Sequence, residues 1–170
     1  ALVRNLNKAL PNAHINCIWI GATQSYVNEF IVCHTNNKYI NLGIPHDYFA
    51  KGFGKIGMQL GCNLKLIANI HPILCKLKSY YRSADLVLCA PGGICMGGFQ
   101  DWIHLFFLEM AKIYHKPLAY YSRSFGPFPT KTWLNKQFKK KSIDLLNYFC
   151  SISVRDQKTM ALADSMHTPY

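Results

Sequence analysis

Three short segments in the second half of the chain hold the residue types from which an anion site can be built. Residues 85–101 (DLVLCAPGGICMGGFQD) leave an apolar run for a loop containing Gly92 and Gly93, and end on the carboxylate of Asp101. Residues 117–129 (PLAYYSRSFGPFP) leave an apolar run for Arg123, Ser124 and Gly126. Residues 150–159 (CSISVRDQKT) do the same and reach Arg155 and Asp156. Glycine lets the backbone take positive φ and come close to a ligand. Amides at the start of a following helix can hold an anion, and a planar guanidinium suits bidentate binding of phosphate or carboxylate. Each segment also has a plainer reading. The glycine loop can be a tight turn with Asp101 as helix cap, Gly126-Pro127 a rigid turn, and Arg155 a structural partner of Asp156 or another acid.

The elements that must position these residues are legible as an alternation. Residues 85–90, 117–122 and 151–154 read as strands, while 102–115, 132–148 and 156–165 read as helices. Strands alternating with helices argue for βαβ units and a parallel sheet. In such a sheet, ligands bind outside the carboxyl ends of the strands, which is where all three polar loops fall. Upstream, residues 2–10 form an amphipathic helix pattern, 15–20 a buried strand and 30–33 a short strand. Residues 41–57 read as loop with short helical pieces. Residues 63–81 read as one helix or two, with Pro72 suited to open the second. The expected fold is α/β: one Rossmann-like domain over residues 1–170, a parallel sheet flanked by helices.

Other features carry less. Gly52-Phe-Gly-Lys-Ile-Gly57 matches GxGxxG, but no strand pattern precedes it and the next acid, Asp85, is too far along for a dinucleotide fingerprint. It is expected to be a flexible loop. His104 lies in an otherwise apolar helix pattern and reads as a satisfied, partly buried histidine. The seven cysteines show no CxxC pair and no Cys/His ligand spacing, so they read as reduced thiols with no metal site. No stretch is long and apolar enough for a transmembrane helix. The net charge of +11 attracts anions. Part of it lies in Lys136, Lys139, Lys140 and Lys141, which form either a solvated helix face or a patch for a membrane surface or polyanion. No nucleic-acid partner is expected.

In their order and spacing, Gly92-Gly93 through Asp101, Ser124-Phe-Gly-Pro-Phe128 and Ile152-Ser-Val-Arg-Asp156 resemble the polysaccharide pyruvyltransferase family. The clear resemblance covers roughly residues 84–165. It implies the N-terminal domain of a glycosyltransferase-B-like two-domain fold. The family's first strand and its C-terminal half would then lie outside the chain, and residues 1–170 alone would be inactive. It also implies transfer of a pyruvyl ketal from phosphoenolpyruvate to hydroxyls of a cell-surface saccharide or its lipid-linked precursor. Phosphoenolpyruvate is then the donor substrate, and neither cofactor nor metal is needed. Arg155 would bind an anion. Gly92, Gly93, Ser124 and Gly126 would line the cleft floor with Arg123 beside them, although the family often has a neutral polar residue at the Arg123 position. Asp101 would be catalytic, orienting a sugar hydroxyl, or would only cap its helix. A cytoplasmic location follows, with peripheral membrane contact through the lysine run. A nucleotide-sugar glycosyltransferase of the same architecture is the competing reading, and a non-enzymatic polyanion-binding module a third.

Overall fold

The computed structural model describes residues 2–19, 38–41, 46–70, 72–91 and 96–166. The strand expected at 30–33 and the Gly92-Gly93 pair lie outside the described residues. The chain divides into two compact units, Ala1–Gly52 and Phe53–Tyr170.

The first unit holds helix α1 (Leu2–Ala9) and two parallel strands, β1 (Asn16–Trp19) and β2 (Lys38–Asn41), paired from Asn16–Lys38 to Trp19–Asn41. The sequence pattern shows α1 and β1 but not β2.

Helix α2 (His46–Leu60) overturns the reading of residues 41–57 as loop and of the GxGxxG match as flexible. Two of its glycines, Gly54 and Gly57, face packed side chains. A Cβ on Gly54 would lie 2.7 Å from the Phe106 ring, and one on Gly57 would lie 2.0 Å from Ile67 Cδ1. Residues three apart share a helix face, so this pair makes a smooth stripe against which bulkier residues close. Those contacts stabilise a helix whose glycines would each otherwise cost about 1 kcal/mol relative to alanine.

The second unit continues with α3 (Leu64–Ile70), α4 (Pro72–Ser83), β3 (Val87–Cys89), α5 (Trp102–Ile113), β4 (Leu118–Tyr120), α6 (Trp133–Leu146), β5 (Ser151–Ile152) and α7 (Gln157–Ser165). Pro72 opens α4 as expected, because its missing N–H costs nothing in the first turn. The strands form one parallel sheet in the order β3-β4-β5. Val87 pairs with Leu118, and Ala119 with Ser151. This is the Rossmann-like α/β alternation anticipated above.

The core sits around β4 and α5. Leu118 and Tyr120 are buried, as are Trp102, Leu105, Phe106, Phe107, Leu108, Met110 and Ala111 of α5. Tyr120 meets Phe149 edge-on at 5.2 Å, and Trp102 meets Phe138 at 5.0 Å. The Tyr81 hydroxyl donates to the Phe107 carbonyl at 2.7 Å, which satisfies the one polar atom of a buried ring. Three helices begin on side-chain caps: Asp101 for α5, Thr132 in a capping box with Asn135 for α6, and Asp156 for α7. Each cap fixes the point where a strand-end loop gives way to helix. Among the described residues, no helix is long and apolar enough to cross a membrane.

Candidate functional site

Because β3, β4 and β5 are parallel neighbours, their C-terminal ends open at the same sheet edge. Main-chain pairing continues past the strands. Tyr121 N–H donates to the Cys89 carbonyl at 3.1 Å, Ser153 N–H to Tyr120 at 2.7 Å and Arg123 N–H to Ser153 at 3.4 Å. The loop after β3 then joins the loop after β4. Met96 pairs with Phe125 in a parallel bridge, and Gly126 N–H donates to the Met96 carbonyl at 2.6 Å. A Cβ on Gly97 would stand 2.6 Å from the Gly126 carbonyl oxygen, so the two backbones touch where a side chain has no room. Gly126 itself has φ +71° and a cis peptide to Pro127.

One side-chain cluster joins the β4 and β5 loops. The buried Ser124 hydroxyl donates to Asp156 Oδ2 and accepts from Arg155 Nε at 3.2 Å. Asp156 Oδ1 accepts the Thr159 N–H at 2.8 Å as the cap of α7, and Oδ2 also accepts the Thr159 hydroxyl at 2.9 Å. The Ser124 hydrogen bond, followed by those from Thr159 and by the nearby Arg155 charge, holds the Asp156 carboxyl below the usual aspartate range. Arg155 thus has one nitrogen fixed by Ser124. Its terminal nitrogens make no hydrogen bond to any described residue, and the side chain is exposed.

A depressed carboxyl contributes stability that is complete above the ordinary aspartate pKa and is lost as pH falls through the lowered one. Asp156→Asn is therefore expected to lower Tm at about pH 7 and to narrow the gap between Tm at about pH 7 and about pH 3. Thermal melts at both values check this, and an unchanged gap would remove Asp156 from the acid response.

A second cluster ties the β3 end to α5. Arg123 Nη1 donates to Cys89 Sγ at 3.2 Å and lies 3.0 Å from His104 Nε2, while Sγ and Nε2 are 3.3 Å apart. A guanidinium only donates, so in the Arg123–His104 contact the acceptor is Nε2. Asp101 Oδ1 accepts the His104 backbone N–H at 2.9 Å.

The structure brings Ser124, Gly126 and Arg155 together and places Asp101 and Arg123 at the same edge. Ser124 and Gly126 are buried within the loop junction rather than lining open space. Asp101 directs a carboxylate oxygen into its own helix start. Sequence reasoning passed over Cys89 and Thr159, while His104 is the satisfied, partly buried histidine its apolar helix pattern implied. Only their offsets hint at the roles of the first two: Cys89 ends a strand, and Thr159 stands three residues after a capping Asp. Gln100 Nε2 is buried and without a partner among the described residues. Among the described residues, no group of three His, Cys, Asp or Glu side chains could hold a metal ion.

Neither a search of curated proteins nor one of solved structures found a match. A model of the family described as polysaccharide pyruvyl transferase matches residues 1–169. Set beside a parallel sheet whose β4 and β5 strand-end loops converge on Ser124, Arg155 and Asp156, that match over nearly every residue shows that the chain belongs to the polysaccharide pyruvyl transferase family.

Proposed function

We propose that the chain acts in pyruvyl ketal transfer from phosphoenolpyruvate to two hydroxyls of a saccharide, with Arg155 holding the donor's carboxylate or phosphate. The observation that carries this reading is the seating of Arg155: Nε is fixed on Ser124 while the terminal nitrogens have no partner among the described residues. A pre-oriented guanidinium at a strand end can grip an anion with little further ordering.

The chemistry runs in four steps. An acid protonates the methylene carbon of phosphoenolpyruvate, leaving a cationic centre at the phosphate-bearing carbon. A sugar hydroxyl attacks that carbon and gives its proton to a base. Phosphate departs with its bonding electrons, and a second hydroxyl closes the ketal by attacking the same carbon and giving its proton to the released phosphate. Arg155 serves the two anionic groups throughout.

The acceptor is read as a cell-surface saccharide or its lipid-linked precursor. Phe99 after β3 and Tyr121 after β4 support a sugar at this edge. They are 77% and 45% exposed, and such rings can stack on the apolar face of a sugar. Phe99→Ala is expected to raise KM for the acceptor about 2- to 12-fold, matching an aromatic contact of about 0.5–1.5 kcal/mol. KM for phosphoenolpyruvate should stay put. Steady-state kinetics with each substrate varied in turn checks it.

The deciding experiment offers the protein phosphoenolpyruvate or nucleotide-sugars, with and without a saccharide acceptor. Acceptor-dependent release of phosphate from phosphoenolpyruvate supports the transfer. Consumption of a nucleotide-sugar instead would establish the glycosyltransferase reading.

A further inference from the structure

An open surface cavity of about 480 Å³ lies between α3, α4 and the turn from α5 into β4. Its walls carry Lys65, Lys78, Arg82, His115 and Lys116, and among the described residues no acidic side chain lines it. Lys116 stands two residues before β4 begins and Arg82 five before β3, so the cavity lies at the amino-terminal edge of the sheet. The strand-end loops of the candidate site leave the opposite edge.

The cations are partly pre-positioned. Lys78 Nζ donates to Asn69 Oδ1 at 2.7 Å, and Asn69 Nδ2 is in turn anchored on the Lys65 carbonyl at 2.9 Å. The backbone that presents Lys116 is fixed as well, with its carbonyl accepting the Tyr148 hydroxyl at 2.9 Å. Burial pushes the Tyr114 phenol up, and the nearby Arg82 charge opposes that shift, which puts the guanidinium close to the cavity wall.

Cations also gather at helix C-termini simply to offset the helix dipole. That account is too small here. Helices α3, α4 and α5 end around the cavity, and each C-terminus is equivalent to about half a negative charge. Together they amount to about 1.5 charges against four permanent cations. The remainder exceeds two positive charges, which matches a multivalent anion better than a monovalent one.

We propose that this cavity is a second anion site, one that takes a diphosphate or similarly multi-anionic phosphate group. It stands independently of the transferase reading. The phosphate can come from a soluble phosphorylated compound or from a lipid headgroup, and the two sources are separable.

Pyrophosphate titrated calorimetrically into an Arg155→Ala variant reads this cavity without donor-site binding. Adding Lys78→Ala and Arg82→Ala is expected to weaken binding by about tenfold or more, as for loss of charge-assisted contacts. Asn69→Ala should weaken it a few-fold by releasing Lys78, and Lys139→Ala/Lys140→Ala/Lys141→Ala should leave it unchanged. Inorganic phosphate should bind about tenfold more weakly than pyrophosphate. Vesicles containing phosphatidic acid then assign the source. Sedimentation that depends on Lys78 and Arg82 marks a headgroup, and pyrophosphate binding without it marks a soluble compound. The proposal is overturned if the Lys78/Arg82 variant binds pyrophosphate normally, if the lysine-run variant loses as much, or if phosphate binds equally well.

Discussion

Replacing Arg155 with alanine is expected to lower kcat/KM for phosphoenolpyruvate about 10- to 150-fold, the loss that follows from removing a charged hydrogen-bonding partner worth about 1.5–3 kcal/mol. The argument is geometric. Arg155 is exposed and makes its hydrogen bond to Ser124 through Nε alone, so truncation removes ligand contacts while leaving the core intact. Arg155→Lys should recover little, because an ammonium reproduces neither the fork that meets two oxygens at once nor the Nε contact that aims it. Ser124→Ala should be milder, since it leaves the guanidinium in place but unseated. Steady-state rates and Tm measured together separate the cases. Lost activity at unchanged Tm supports donor binding, and unaltered kinetics would move the anion site away from Arg155.

The second half of the fold was legible because its strands and helices differ in pattern and its helix starts carry caps. Residues 117–122 and 151–154 read as strands from apolar runs ending in Ser, Arg and Asp, and β4 and β5 lie within them. Helix α2 was not legible, because three glycines in six residues argue for a loop on propensity alone. What makes it a helix is the packing of Phe106 and Ile67 onto Gly54 and Gly57, contacts with residues far along the chain. The candidate site divides the same way. Arg155 announced itself as a charged residue at a strand end. The Arg123–Cys89–His104 cluster did not, because those residues stand 34 and 19 positions apart along the chain. Only the parallel pairing of β3 with β4 brings them within reach.

Gly97→Ala is expected to be a strongly damaging single-methyl change at this edge. Its cost is overpacking, about 1–3 kcal/mol, which for a 170-residue chain corresponds to a Tm drop of about 2–12 °C. The added carbon would stand 2.6 Å from the Gly126 carbonyl oxygen and 3.0 Å from two further Gly126 backbone atoms. Backbone cannot rotate aside as a side-chain tip can, so the loop after β4 must move. Gly98→Ala next door is the control, because its Cβ would meet only the Pro127 carbonyl at 3.9 Å, and its Tm should stay within about 1–2 °C. Gly126→Ala carries two faults: a left-handed φ of +71° and a Cβ 2.0 Å from Leu162 Cδ2. Because Gly97 and Gly126 share one contact, the double variant should cost less than the sum of the singles. The displaced loop also bears Ser124, which seats Arg155. Gly97→Ala should therefore lose phosphoenolpyruvate-dependent activity at temperatures where the chain is still folded, while Gly98→Ala keeps both. Equal Tm values for the two variants would show that the loops do not meet as closely as the backbone contact requires.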